Sequence, residues 1–204
     1  ISEIACAHNG NYKNLKVLIK NSFFSGANAV QFQIWKATNM RSIYDNNYKI
    51  LKKLEISFND WKKVIRFTKK NFPKLKIYCC IYDIETFEFI NKLNIDGIKI
   101  NSADACNLEF LKKIKIFKKN INICTGGVKE FEIKRIVKIL GKKERLTLMH
   151  GIQLFPTKSN IINLKRIQYL KNKFKVNAGY QDHSDPESCD AYLMPALSLF
   201  YGAN

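Results

Sequence analysis

The sequence predicts an α/β fold of the TIM type, a (β/α)8 barrel represented here by about seven strand–helix units. Two observations predict it. Short apolar runs alternate along the whole chain with longer segments of helical periodicity, the pattern of parallel strands joined by helical crossovers. Polar side chains also stand where the strand-like runs stop: His8, Lys36, Asp83, Lys99, Ser102, Thr125, His150 and His183. Reactive groups at the ends of separate strands are how such a barrel assembles one site, so an enzyme is the first hypothesis.

The elements follow in order. Residues 3–7 form a strand-like run, and 11–25 form a helix with Leu15, Leu18, Ile19 and Phe23 on one face, ended by Gly26. Residues 29–34 are a strand. The polar stretch 38–57 is expected to be a long irregular loop that could lid a site. Ser57 and Asp60 supply capping chemistry for a helix that runs to about Phe72 and stops at Pro73. Then come strand 76–82, helix 84–93, strand 97–101, helix 107–117, strand 121–125, helix 129–140, strand 145–151, helix 164–174, strand 175–181 and helix 186–200, which Pro195 should interrupt. Seven units are one short of a closed ring. An open sheet would leave unpaired edges, so the 204 residues are expected to be a single barrel domain, 1–204, cut from a longer protein.

Composition narrows the function classes. Hydrophobic residues make up 46% of the chain, with 14 Phe and 9 Tyr, enough for a sizeable core rather than disorder. The formal charge is +18. Its lysines (62, 63, 69 and 70; 112, 113, 115, 118 and 119; 134, 138, 142 and 143) are spread over the helical segments, which points to solvated outer faces rather than a nucleic-acid surface. The charge could still concentrate an anionic substrate. Six cysteines at 6, 79, 80, 106, 124 and 189 contain no CxxC pair; Cys6, Cys79, Cys80 and Cys124 fall in strand-like runs and read as small buried hydrophobes in a reducing cytoplasm. No apolar run approaches the roughly 18 residues of a membrane span.

Four constellations could carry chemistry. Glu3 lies within the first run and His8-Asn9-Gly10 at its exit; Asn9-Gly10 by itself is a turn. Asp182-His183 puts a carboxylate and an imidazole at a strand end, suited to metal binding or proton transfer, or to a simple cap. His150 has the same two readings, and two histidines from different strands could share a divalent metal. Lys99-Ile100-Asn101-Ser102-Ala103-Asp104 gathers a cation, a hydroxyl and a carboxylate. Alternation puts Lys99 and Asn101 on one strand face, and a lysine pointing into a barrel needs a partner, for which an anionic ligand is reasonable. Thr125-Gly126-Gly127 before a helix offers backbone N–H groups to an anion, although such a turn needs no ligand.

Taken in order, these segments resemble the sialic acid synthase family, the N-acetylneuraminate, legionaminate and pseudaminate synthases. The resemblance runs through Glu3-Ile4-Ala5-Cys6-Ala7-His8-Asn9-Gly10, Gly26-Ala27-Asn28-Ala29-Val30-Gln31-Phe32-Gln33 with Lys36-Ala37, and Leu54-Glu55-Ile56-Ser57 ahead of Trp61. It continues through Lys99 to Asp104 with Asn107-Leu108, then Cys124-Thr125-Gly126, Met149-His150-Gly151 with Phe155-Pro156, and Gly179-Tyr180-Gln181-Asp182-His183-Ser184. It implies a barrel enzyme that condenses phosphoenolpyruvate with an N-acetylmannosamine-type amino sugar. The enol carbon attacks the sugar aldehyde, water adds at C2, and phosphate leaves from a nine-carbon 3-deoxy-2-keto acid. It implies a divalent metal, Mn2+ or Mg2+, holding the aldehyde, with His183 as one ligand and the other in a Glu-Lys-His motif on an eighth strand beyond Asn204. It also implies a cytoplasmic homodimer when full length, with a C-terminal antifreeze-like domain, and no nucleic-acid or membrane partner. The residue roles it implies are Glu3, His8 and Asp104 as catalytic, and Lys99, Ser102, Gln33, Lys36, Thr125, Gln153, Phe155, Gln181 and Asp182 as substrate-binding.

The departures from the family pattern matter as much. Gln31 stands where the family has a lysine, Cys79-Cys80 where it has Ser-Thr, Cys124 and Gln181 where it has serines, and Gln153 where it has asparagine. Each charge-assisted hydrogen bond lost from a phosphate site is worth about 1.5–3 kcal/mol. The alternative expectation is therefore a catalytically degenerate member that binds a sugar or a partner.

Overall fold

The computed structural model describes residues 1–141 and 144–204, so Lys142 and Lys143, assigned above to a solvated helix face, lie outside the described residues. The chain divides into two compact units, Ile1–Lys99 and Ile100–Asn204. Strands and helices alternate through both, with seven strands among the described residues.

In the first unit β1 (Ser2–Glu3), α1 (Tyr12–Phe24), β2 (Ala29–Ile34), α2 (Ala37–Met40), α3 (Tyr48–Leu54), α4 (Phe58–Asn71), β3 (Lys76–Ile81) and α5 (Ile84–Ile90) precede β4 (Gly97–Ile100). β2 is flanked by β1 and β3, both parallel to it, with Glu3 opposite Gln31, Gln31 opposite Tyr78 and Gln33 opposite Cys80. Alternation therefore sorts β2 into two faces. Val30, Phe32 and Ile34 are fully buried. Phe32 meets Trp61 of α4 at 5.3 Å between ring centroids, so this face is covered by helix. Gln31 and Gln33 point the other way, together with Glu3, Tyr78 and Cys80. The α4 stripe Trp61, Val64, Ile65 and Thr68 is buried at helical spacing. Its start is fixed by Ser57, whose hydroxyl accepts from the Asp60 N–H at 3.1 Å.

The second unit runs through α6 (Leu108–Ile114), β5 (Asn120–Cys124), α7 (Glu130–Leu140), β6 (Leu146–His150), a 3-10 turn at Ser159–Ile161, α8 (Lys165–Phe174), β7 (Asn177–Tyr180) and α9 (Asp190–Phe200). β6 lies between β5 and β7, all parallel, with Cys124 opposite Met149 and Met149 opposite Gly179. Gly141, at φ +58°, ends α7 in the left-handed conformation that glycine adopts without strain. The side chains of Ile133, Ile136 and Leu140 bury the inner stripe of that helix.

Three expectations are corrected. The first strand stops at Glu3: Ala5 sits at φ +46°, and successive turns carry the chain through His8 to α1. The stretch 38–57 is not irregular, since α2 and α3 occupy it. Lys49-Ile50-Leu51-Lys52-Lys53-Leu54 is built of helix formers, and a Lys52–Glu55 ion pair at 2.8 Å and a Glu55 carboxylate accepting from the Ala37 N–H at 2.8 Å tie the segment down. Pro195 sits inside α9 rather than interrupting it. That helix is largely at the surface, where water can satisfy the carbonyl that proline leaves without a donor.

Candidate active site

The polar face of the first unit converges on Glu3. Its Oε1 accepts from Gln33 Nε2 at 2.6 Å, and its Oε2 lies 3.3 Å from the Lys99 ammonium. Lys99 is only 5% exposed, held on the second residue of alternation after Gly97. A side chain at 97 would collide with Tyr78, 2.2 Å from its Cε1, so the glycine lets the Tyr78 ring lie along the strand that carries Lys99. Gln31, 4% exposed, shares this face. A buried cation thus lies beside a partly exposed carboxylate on the polar face of the first unit.

His8 reaches neither group by hydrogen bond. Its Nδ1 accepts from the Gly10 N–H at 3.0 Å, which places the proton on Nε2, and that buried N–H finds no partner. The ring stands edge-on to Trp61 at 6.1 Å. Burial holds its pKa below the usual histidine value. Lys36 turns instead to a surface ion pair with Glu85, which also accepts from Asn39. That pairing holds the Glu85 carboxyl below the usual range, chiefly through the Lys36 bond and then the Asn39 bond. Asp83, at the end of β3, caps α5 by accepting from the Thr86 N–H at 2.7 Å.

In the second unit the Cys124 thiol donates to Gln181 Oε1 at 2.7 Å, and Gln181 Nε2 lies 2.8 Å from His183 Nε2. The His183 Nδ1 lies 2.6 Å from the Ile152 carbonyl, which can only accept. The proton is therefore on Nδ1, and the Nε2 lone pair receives the Gln181 amide. Asp182 Oδ1 accepts from Tyr180 Oη at 2.8 Å and from Ser184 Oγ at 2.7 Å. Burial, and then the bond to Asp182, push the Tyr180 phenol well up. Phe155 is 74% exposed and stands edge-on to His183 at 6.0 Å. Gln153 lies over Gly126, where a Cβ would be 3.2 Å from its amide nitrogen.

The remaining candidates are held by backbone or turn. Thr125 donates its hydroxyl to the Met149 carbonyl at 3.0 Å. The Ser102 hydroxyl is buried without a partner, and Asp104 sits in the turn after β4, its N–H donating to the Asn101 carbonyl at 3.1 Å. His150 lies on the opposite face of β6 from Met149 and donates its Nε2–H to the Ile162 carbonyl at 2.6 Å. Burial lowers its pKa, with that backbone bond opposing. Sequence reasoning did not single out Tyr78; the alternation of 76–81 against β2 was the available signal.

The divalent metal expected at His183 can be tested against these contacts. The imidazole has the right tautomer, with Nδ1–H on a carbonyl and Nε2 unprotonated. The lone pair that a metal would take is nevertheless engaged by Gln181, so in this arrangement the imidazole does not fit a metal.

Parallel strands alternating with helices, with polar side chains at strand ends, define an α/β fold built on a parallel sheet. Comparison with known proteins then places the chain: residues 18–203 match the NeuB family, and the chain belongs to it. It is 31% identical over 202 residues to N,N'-diacetyllegionaminic acid synthase of Campylobacter jejuni, covering 90% of this chain and 60% of the relative. It is 29% identical to N-acetylneuraminate-9-phosphate synthase of Drosophila melanogaster, covering 90% of this chain and 53% of that protein. The chain thus spans somewhat more than half the length of these relatives. A crystal structure of N-acetylneuraminic acid (sialic acid) synthetase from Leptospira borgpetersenii, in complex with citrate, matches with a TM-score of 0.88 at 23% identity, over 99% of this chain and 69% of that one. That likeness carries the fold.

Proposed function

We propose that the chain is the barrel portion of an enzyme that condenses phosphoenolpyruvate with an N-acetylmannosamine-type amino sugar, giving a nine-carbon 3-deoxy-2-keto acid and phosphate. The observation that carries this reading is the Lys99 ammonium, buried at a strand end beside the Glu3 carboxylate. A buried cation in that position suits the carboxylate or phosphate of phosphoenolpyruvate. Glu3, oriented by Gln33, is placed to hold or move a proton near the bound enol. The names of the relatives support an amino-sugar acceptor.

A second reading has a specific observation in its favour. Gln31 is buried on the Lys99 face where the family pattern has lysine, which removes a cation from the site. A degenerate member would then bind a sugar without turnover. The test is incubation with phosphoenolpyruvate, a panel of free and phosphorylated N-acetylated amino sugars and Mn2+ or Mg2+. Release of phosphate with a matching nine-carbon acid by mass spectrometry is the expected result; no phosphate from any acceptor would reject the condensing reading.

A further inference from the structure

The two serine-to-larger departures in the second unit, Cys124 and Gln181, are not independent. They touch. The Cys124 thiol donates to Gln181 Oε1 at 2.7 Å, and this contact orients the amide so that its NH2 faces His183. The Gln181 backbone is fixed as well, its N–H donating to the His150 carbonyl at 2.7 Å. On the far side, the Ile152 carbonyl pins the His183 ring by accepting from Nδ1. The result is a directional chain: thiol to amide oxygen, amide N–H to imidazole Nε2, imidazole Nδ1–H to backbone carbonyl. Every link has a donor facing an acceptor.

We propose that Gln181 is a capping residue that excludes divalent metal from His183. The argument is geometric. A metal–imidazole bond is about 2.0–2.1 Å long and uses the Nε2 lone pair. The Gln181 nitrogen sits 2.8 Å from that atom on the same lone pair, so a metal and the amide cannot occupy the position together. The neighbouring carboxylate is engaged through one oxygen, Asp182 Oδ1 accepting from both Tyr180 and Ser184. Cys124 acts through Gln181: buried at 2% exposure, its thiol keeps the amide from rotating to present oxygen to the ring. A serine at 181 is too short to bridge the thiol and the imidazole, and it would leave the lone pair open. The inference deepens the reading of this chain as a NeuB-family condensing enzyme. Its test reads metal binding and ring state rather than turnover, so its failure leaves that reading standing.

The experiment is a Mn2+ titration followed by electron paramagnetic resonance of the free ion, on the full-length wild-type protein, on Gln181→Ser, and on Gln181→Ser combined with His183→Ala. The expected result is Mn2+ affinity at least tenfold higher in Gln181→Ser than in wild type, with the gain removed by His183→Ala. Equal affinity in wild type and Gln181→Ser, or a gain that survives His183→Ala, would overturn the proposal. A second measurement needs no variant. In 15N spectra of histidine-labelled wild type, the His183 ring should show a protonated Nδ1 and an unprotonated Nε2 whose resonance does not move with millimolar Mg2+. A saturating shift of that resonance would equally overturn it.

Discussion

Gly97→Ala is the sharpest test of how the polar face of the first unit is built. A Cβ at 97 would stand 2.2 Å from Tyr78 Cε1, 2.5 Å from Cδ1 and 3.0 Å from Cζ. Tyr78 is 8% exposed and cannot swing into solvent, so either the ring or the strand must shift. Overpacking of this kind costs about 1–3 kcal/mol, and replacing glycine by alanine in a strand returns about 0.5–1 kcal/mol of backbone entropy. The net loss is therefore up to about 2.5 kcal/mol, which at roughly 2–4 °C per kcal/mol for a chain of this size lowers Tm by up to about 10 °C. Thermal unfolding by circular dichroism reads it. The diagnostic is the double variant: with Tyr78→Val, the ring is gone and Gly97→Ala should become neutral or stabilising. The same loss in both backgrounds would refute the packing argument.

Other expectations concern titration, thiols and charge. His8 and His150 are buried with pKa values below the ordinary 6.5. The unfolded chain therefore takes up more protons as pH falls below about 6.5, so the stability they contribute is complete above that value and lost on acidification, at up to about 1.4 kcal/mol per pH unit for each. Urea midpoints should fall between pH 7.5 and 5.5, and a flat profile would reject their buried neutral state. Cys189 and Cys106 are exposed and should react with a thiol reagent in the native protein, Cys106 more slowly because partial burial and Glu132 push its pKa up. Cys79, Cys80 and Cys124 are buried and should wait for unfolding; fast labelling of all six would contradict the packing. Lys36→Ala removes a solvent-screened pair with Glu85 and a cation–π contact with Phe58 at 5.0 Å, and should lower stability by less than about 2 kcal/mol in denaturant titration.

The strands were legible because burial on two faces leaves apolar runs. β2 is found at the residues its Ala-Val-Gln-Phe-Gln-Ile run marks, and the capping of α4 by Ser57 follows from side-chain chemistry alone. The stretch 38–57 reads as irregular from its polarity because α3 buries no residue and so shows no apolar stripe. The end of the first strand is not legible because the turn at Ala5 is made by a residue with no turn signature. Among the candidate site residues, strand ends were visible but pairings were not. Lys99 and Glu3 are 96 residues apart and Cys124 and Gln181 57 apart, so spacing could not tell which polar groups satisfy one another. The same blindness applied to Lys36, whose partner Glu85 lies 49 residues on.

The central claim is that the buried Lys99 ammonium holds the phosphoenolpyruvate anion. Calorimetric titration of phosphoenolpyruvate into wild type and Lys99→Met tests it most directly, because methionine keeps most of the apolar stem and removes the charge. Loss of one charge-assisted contact of about 1.5–3 kcal/mol predicts a dissociation constant roughly 10- to 150-fold weaker, with the fold retained. Affinity within twofold of wild type would contradict the account.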